Sequence, residues 1–192
     1  ACLALPEIAA AINGALVPAL PMMLLLMYFI NRGNTVTQIL FFNCDSSMLS
    51  YRFYRQPRVI LGIFTARLKS LTAINLLPIA LGLPLLLLCS GGTDTPTDYL
   101  VLPLAILAMS VFFSVLFLCM YYIFQPFTEA GNTTSVGYKA CNGGVYVAAY
   151  SCLQLHTPPT YFAVLLLSVT VVTMVVGILL VWKLAPKTFR LR

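Results

Sequence analysis

Polar and charged positions divide this chain into long apolar runs instead of alternating with them. Ile8 to Asn31, Ser70 to Thr93 and Tyr99 to Thr128 each pass without one charged residue. A helix needs about 20 residues to cross roughly 30 Å of hydrocarbon, and each run is long enough. Backbone groups in lipid must pair within their own segment, which a helix achieves. A fourth charge-free run, Ala140 to Trp182, is about two spans long and is broken at His156-Thr157-Pro158-Pro159, where proline cannot continue a helix interior. Its second half, Tyr161 to Val181, is rich in Val and Leu and reads as a span. Its first half, "YKACNGGVYVAAYSCLQLH", carries Asn142, Gly143, Gly144 and Gln154, and reads as a span or as a re-entrant or interfacial segment. The pattern predicts an all-α, polytopic transmembrane helical bundle with about five spans, at 8–31, 71–92, 99–124, 138–156 and 160–182.

Composition agrees with the pattern. Of 192 residues, 60% are hydrophobic and 8% charged, with a mean hydropathy of +0.95. Soluble domains carry about 25% charged residues, so this chain is made for lipid. The formal net charge of +6 does not point to nucleic acid, because the basic residues lie between apolar runs and form no stripe on a soluble face. The sequence opens on Ala1 with no basic stretch before its first apolar run, and we expect a single membrane domain, 1–192, that is a piece of a longer chain. Basic residues favour the cytoplasmic side of a membrane. The loop 32–70 and the tail 183–192, with Lys183, Lys187, Arg190 and Arg192, are both expected there, and five spans accommodate both.

The basic residues are unevenly spread. Arg52, Arg55, Arg58, Arg67 and Lys69 crowd into "NCDSSMLSYRFYRQPRVILGIFTARLKS" with one acid, Asp45. Within it Ile60, Ile63, Phe64, Leu68 and Leu71 recur at helical spacing, with Arg58, Thr65 and Lys69 off the stripe and Arg67 at its edge. That is the pattern of an amphipathic helix at the membrane surface running into the second span. A shorter stripe, Val36, Ile39, Leu40 and Phe42, precedes it, and Gln56-Pro57 separates the two, since the residue before a proline avoids helix. A cytoplasmic amphipathic elbow is expected. Arginines at every third position among Tyr51, Phe53 and Tyr54 suit either anionic headgroups or a soluble partner.

"FFNCDSSMLSYRFYRQPRVILGIFTARLKSLTAINLLP" and "LAMSVFFSVLFLCMYYIFQPF" together resemble the membrane (permease) component of ABC exporters of the Firmicutes type, over about residues 41–127. The resemblance implies a transport subunit without ATPase activity of its own, paired with a separate ABC ATP-binding subunit that holds ATP and Mg, and with a second permease half or copy. Asp45, Arg52, Tyr54, Arg55 and Arg58 would lie where the ATPase docks, and Arg67 and Lys69 extend that candidate surface.

Other chemistries lack their residues. A nucleotide-binding G-x-x-x-x-G-K-[ST] loop is missing from the sequence, so ATP hydrolysis is assigned to the partner. His156 is the sole histidine, which disfavours a metal centre and a Ser-His-carboxylate set; no catalytic, cofactor or metal site is expected in this chain. Glu7, Asp94, Asp98 and Glu129 lie near span ends, whereas proton-coupled transporters place an ionisable group within a span. The six cysteines are scattered without C-x-x-C and read as small apolar residues. Asn13, Pro18 and Pro21 in the first span, and Asn75, Pro78 and Pro84 in the second, are candidates for a kink or a translocation path. Ser110 and Ser114, one turn apart, favour close helix packing.

Overall fold

The computed structural model describes residues 20–30, 33–45, 56–90, 98–127, 135–154 and 158–188. Among them the chain is almost entirely helical and has no β-strand. In order these helices are α1 (Leu20–Ile30), α2 (Gly33–Leu40) continuing as a π-helical turn (Phe41–Asp45), α3 (Pro57–Ser90), α4 (Asp98–Phe124), α5 (Val136–Ser151) with a short 3-10 turn (Cys152–Gln154), and α6 (Pro159–Thr188). Three stretches, Pro57–Leu77, Val101–Phe124 and Thr160–Pro186, are long and apolar enough to cross a membrane, and Leu20–Phe29 is a shorter apolar helix. The protein is a membrane protein.

Helix α4 is the hub, packed against α1, α2, α3, α5 and α6. Within its apolar window 61% of residues are buried, against 28% for α3 and 22% for α6, so α4 is central and the other two face outward. Apolar burial gives no advantage over lipid inside the bilayer, where helices associate through packing and hydrogen bonds. Such bonds are visible along α4. Thr170 Oγ1 donates to Leu166 O at 2.7 Å and reaches Ala108 O of α4 at 3.3 Å. Asn75 Nδ2 of α3 donates to Ser114 Oγ at 2.9 Å, and that hydroxyl donates back to Ser110 O at 2.7 Å.

At one end of the bundle Phe41, Ile60, Phe64, Leu68, Tyr121, Tyr122, Phe127 and Val181 form one core. At the other, Leu20, Leu24, Met109, Phe113, Phe162 and Leu166 form a second. Helix α4 stops where Pro126 approaches: Gln125 takes a left-handed φ of 38° and its N–H donates to Tyr121 O at 2.9 Å, the geometry of a left-handed helix C-cap. The reversal turns Phe127 back against Phe41, Tyr121 and Tyr138.

Pro57 opens α3, where its missing N–H costs no helical bond, and Gln56 O accepts from Val59 and Ile60. The expected surface helix and second span are one helix of 34 residues, about 51 Å at 1.5 Å per residue. Its stripe is as expected, with Ile60, Phe64, Leu68 and Leu71 buried and Ile63 partly so. It is covered by α4, α6 and Phe41 of the same chain, not by headgroups alone. The elbow residues 46–55 lie outside the described residues.

The preceding stripe divides: Val36 packs against the core and Leu40 is half-buried, while Ile39 and Phe42 face outward; α2 also buries Thr37, and the turn after it Phe41. The first residues of the tail are helical: α6 continues past Lys183 to Thr188, with Ala185 buried and Thr188 Oγ1 donating to Leu184 O at 3.1 Å. Helix α5 has 16 residues, about 24 Å, and is shorter than the span expected at 138–156. Ser135 caps it, its Oγ accepting from Tyr138 N at 3.3 Å.

Candidate functional site at the basic end of the bundle

The lone acid of the basic segment is placed by the π-helical turn. Widening the helix at Phe41–Asp45 lets Phe41 and Asp45 both turn inward, and Asp45 is fully buried. An isolated carboxylate could not stay ionised there. Arg67, 22 residues on and one-tenth exposed, meets it as a two-pronged ion pair. Nη2 lies 2.5 Å from Oδ1 and Nη1 lies 2.6 Å from Oδ2. Tyr121 OH donates a third hydrogen bond, to Oδ2. Arg67 Nη1 also donates to Tyr122 OH at 3.0 Å, with the guanidinium 5.9 Å from the centre of the Tyr122 ring. Planar, bidentate pairing and aromatic contact suit a guanidinium better than an ammonium. They offset the desolvation of two charges.

The arrangement gathers three elements at one point: the turn after α2, the middle of α3's amphipathic part, and the last turns of α4. Phe64 meets Tyr122 edge-on, and Phe127 closes over Tyr121. Arg58 and Lys69 are exposed on α3, so they, unlike Asp45 and Arg67, present charge outward. Arg52, Tyr54 and Arg55 lie outside the described residues.

Among the described residues, the expected pathway residues do not converge on this point. Asn75 is buried and held by Ser114, so it joins α3 to α4. Pro78 and Pro84 fall within the continuous helix α3. Pro21 stands in the first turn of α1; Asn13 and Pro18 lie outside the described residues. Among the described residues no three His, Cys, Asp or Glu side chains gather as a metal site.

Tyr121 and Tyr122 were not singled out from the sequence. In "LCMYYIFQPF" they read as the aromatic belt that often ends a span. Their signal was adjacency to a span end at a level shared with an arginine at the edge of a neighbouring stripe. No known family model, curated protein or solved structure matches the chain.

Proposed function

We propose that the chain is a multi-pass membrane subunit of a bacterial ABC-type exporter, with five spans, its basic segment in the cytoplasm, and ATP hydrolysed by a separate subunit docked on that segment. A second permease half or copy completes the path for the cargo. The observation that supports this reading is the Asp45–Arg67 pair. It joins the two flanks of the basic segment, one before Arg52 and one after Arg58, to Tyr121 and Tyr122 of the central helix. A load applied between the flanks is passed to α3 and α4 through charge-assisted bonds, which resist shear better than apolar contact.

The test is co-purification from native membranes. Reversing Arg52, Arg55 and Arg58 to Glu releases a bound P-loop ATPase if docking is right, while wild type retains it. Absence of any ATPase from the wild-type preparation, or equal retention by the reversed chain, overturns the reading. A second reading, an integral membrane assembly or sensor protein whose basic loop binds lipid or a regulator, is favoured by Asn75. The polar group expected on a pathway is already engaged in a helix–helix hydrogen bond. Under that reading the reversed chain loses affinity for anionic vesicles or for a non-ATPase partner.

A further inference from the structure

Serines inside the helices share a habit that one of them breaks. Ser70, Ser114, Ser151 and Ser168 each donate to a carbonyl three or four residues back in their own helix. Ser110 of α4 does not. It is fully buried, and its Oγ has no hydrogen-bond partner among the described residues. A hydroxyl held off its own helix forgoes a bond within reach. Leaving it unmet in the interior costs stability, unless something beyond the helix meets it.

Register gives what Ser110 faces. Arg67 bonds to Tyr122 and Asn75 bonds to Ser114, so eight residues along α3 match eight along α4 in the opposite direction. One further turn sets Ser110 opposite the backbone of α3 at Pro78 and Ile79. Proline has no N–H, so Ile74 O lacks the donor that a helix supplies four residues on. Asn75, next to Ile74, gives its Nδ2 to Ser114, and its Oδ1 is an acceptor with two lone pairs. One turn of the α3–α4 seam therefore gathers a buried hydroxyl and two carbonyl oxygens.

The place is far from bulk water. Along α4, Ser110 is about 14 Å from Val101 and about 21 Å from Phe124, the two ends of the apolar stretch. A hard cation would need about six oxygens. A water molecule needs only two to four polar partners, usually three, and ordered waters re-satisfy carbonyls freed by proline in membrane helices. We propose that a single water molecule is bound between α3 and α4 in the membrane interior, accepting from Ser110 Oγ and donating to Asn75 Oδ1 and Ile74 O. The inference goes beyond the exporter reading and does not depend on it; it needs only that the bundle sits in a bilayer.

Solid-state NMR of the full chain in vesicles of chain-deuterated phosphatidylcholine tests it, with magnetisation transferred from water protons. In the wild type the Asn75 side-chain amide and Ser110 Cβ receive that magnetisation. Ser168, exposed on α6 within its apolar stretch, does not. Ser110→Ala abolishes the transfer to Asn75 and lowers the thermal midpoint by about 2–4 °C, because the water loses its donor. A dry site gives the opposite sign, since deleting an unpaired buried hydroxyl is neutral or stabilising. Ser168→Ala keeps both the transfer and the midpoint. No transfer to Asn75 in the wild type, equal transfer to Ser168, transfer that survives Ser110→Ala, or a midpoint that stays or rises in that variant each overturns the proposal.

Discussion

One methyl group distinguishes the two sides of the bundle. A Cβ on Gly177 of α6 would lie 2.5 Å from Cys119 Sγ of α4, inside any tolerable contact, whereas one on Gly144 of α5 would meet nothing within 4 Å. Both glycines sit in helices of the same chain, and both face α4. On the Gly177 side the backbones approach until Cys119 Sγ is met, with Thr170 bonded across to Ala108, and Gly177 and Cys119 also border an apolar groove along α4 and α6. On the Gly144 side the small residues Cys141, Gly144, Ala148, Ala149 and Cys152 line a void. Small residues in a membrane helix thus carry two meanings, close approach or room for something else, and only the partner helix decides which.

The contrast can be broken at several points. The largest effect belongs to the closed side's charged end. Arg67→Ala leaves Asp45 buried without its cation and should destabilise the detergent-solubilised protein by about 3–5 kcal/mol. Asp45→Leu with Arg67→Leu should recover much of that, read as the midpoint of thermal unfolding. Gly177→Ala should cost about 1–3 kcal/mol by overpacking, and Cys119→Ala in the same chain should restore most of it. If Gly177→Ala proved neutral in the same assay, the α4–α6 seam would be looser than described. Gly144→Ala should move the other way, gaining about 1 kcal/mol from helix propensity because nothing obstructs the new methyl. Ser135→Ala, which removes the cap of α5, should lose about 1 kcal/mol, visible as lower amide protection in the first turn of that helix. The smallest change is expected for Asn75→Leu. Its bond to Ser114 is of a kind that averages about 0.6 kcal/mol between membrane helices.

The elements were legible where lipid imposes length. The expected span at 99–124 coincides with α4 at Asp98–Phe124, because an apolar run of that length has one inexpensive conformation in hydrocarbon. Two details go beyond the run pattern. Helix α6 continues past the span expected at 160–182 to Thr188 and packs Ala185 there, since a charge ends only the lipid-facing part of a helix. The Val36–Phe42 stripe, expected on a membrane-surface helix, divides: Val36 packs against the core, whereas Ile39 and Phe42 face out. The residues Ile60, Phe64, Leu68 and Leu71 do share one buried stripe, and the opposite face carries Arg58 and Lys69, whose charges demand solvent. Of the candidate site, Asp45 and Arg67 were recognised as unusual, but not as each other's partner. Pairing across 22 residues leaves no periodicity to detect, and the two tyrosines that complete it are masked by the ordinary occurrence of aromatics at span ends.

The buried ion pair also constrains the history of the chain. A substitution at either member strands a charge in the interior, so the intermediate between one viable pair and another is the least stable form of all. Lineages carrying this protein are therefore expected to keep Asp45 and Arg67 together or to abandon both, and the two columns of an alignment would vary as a single character.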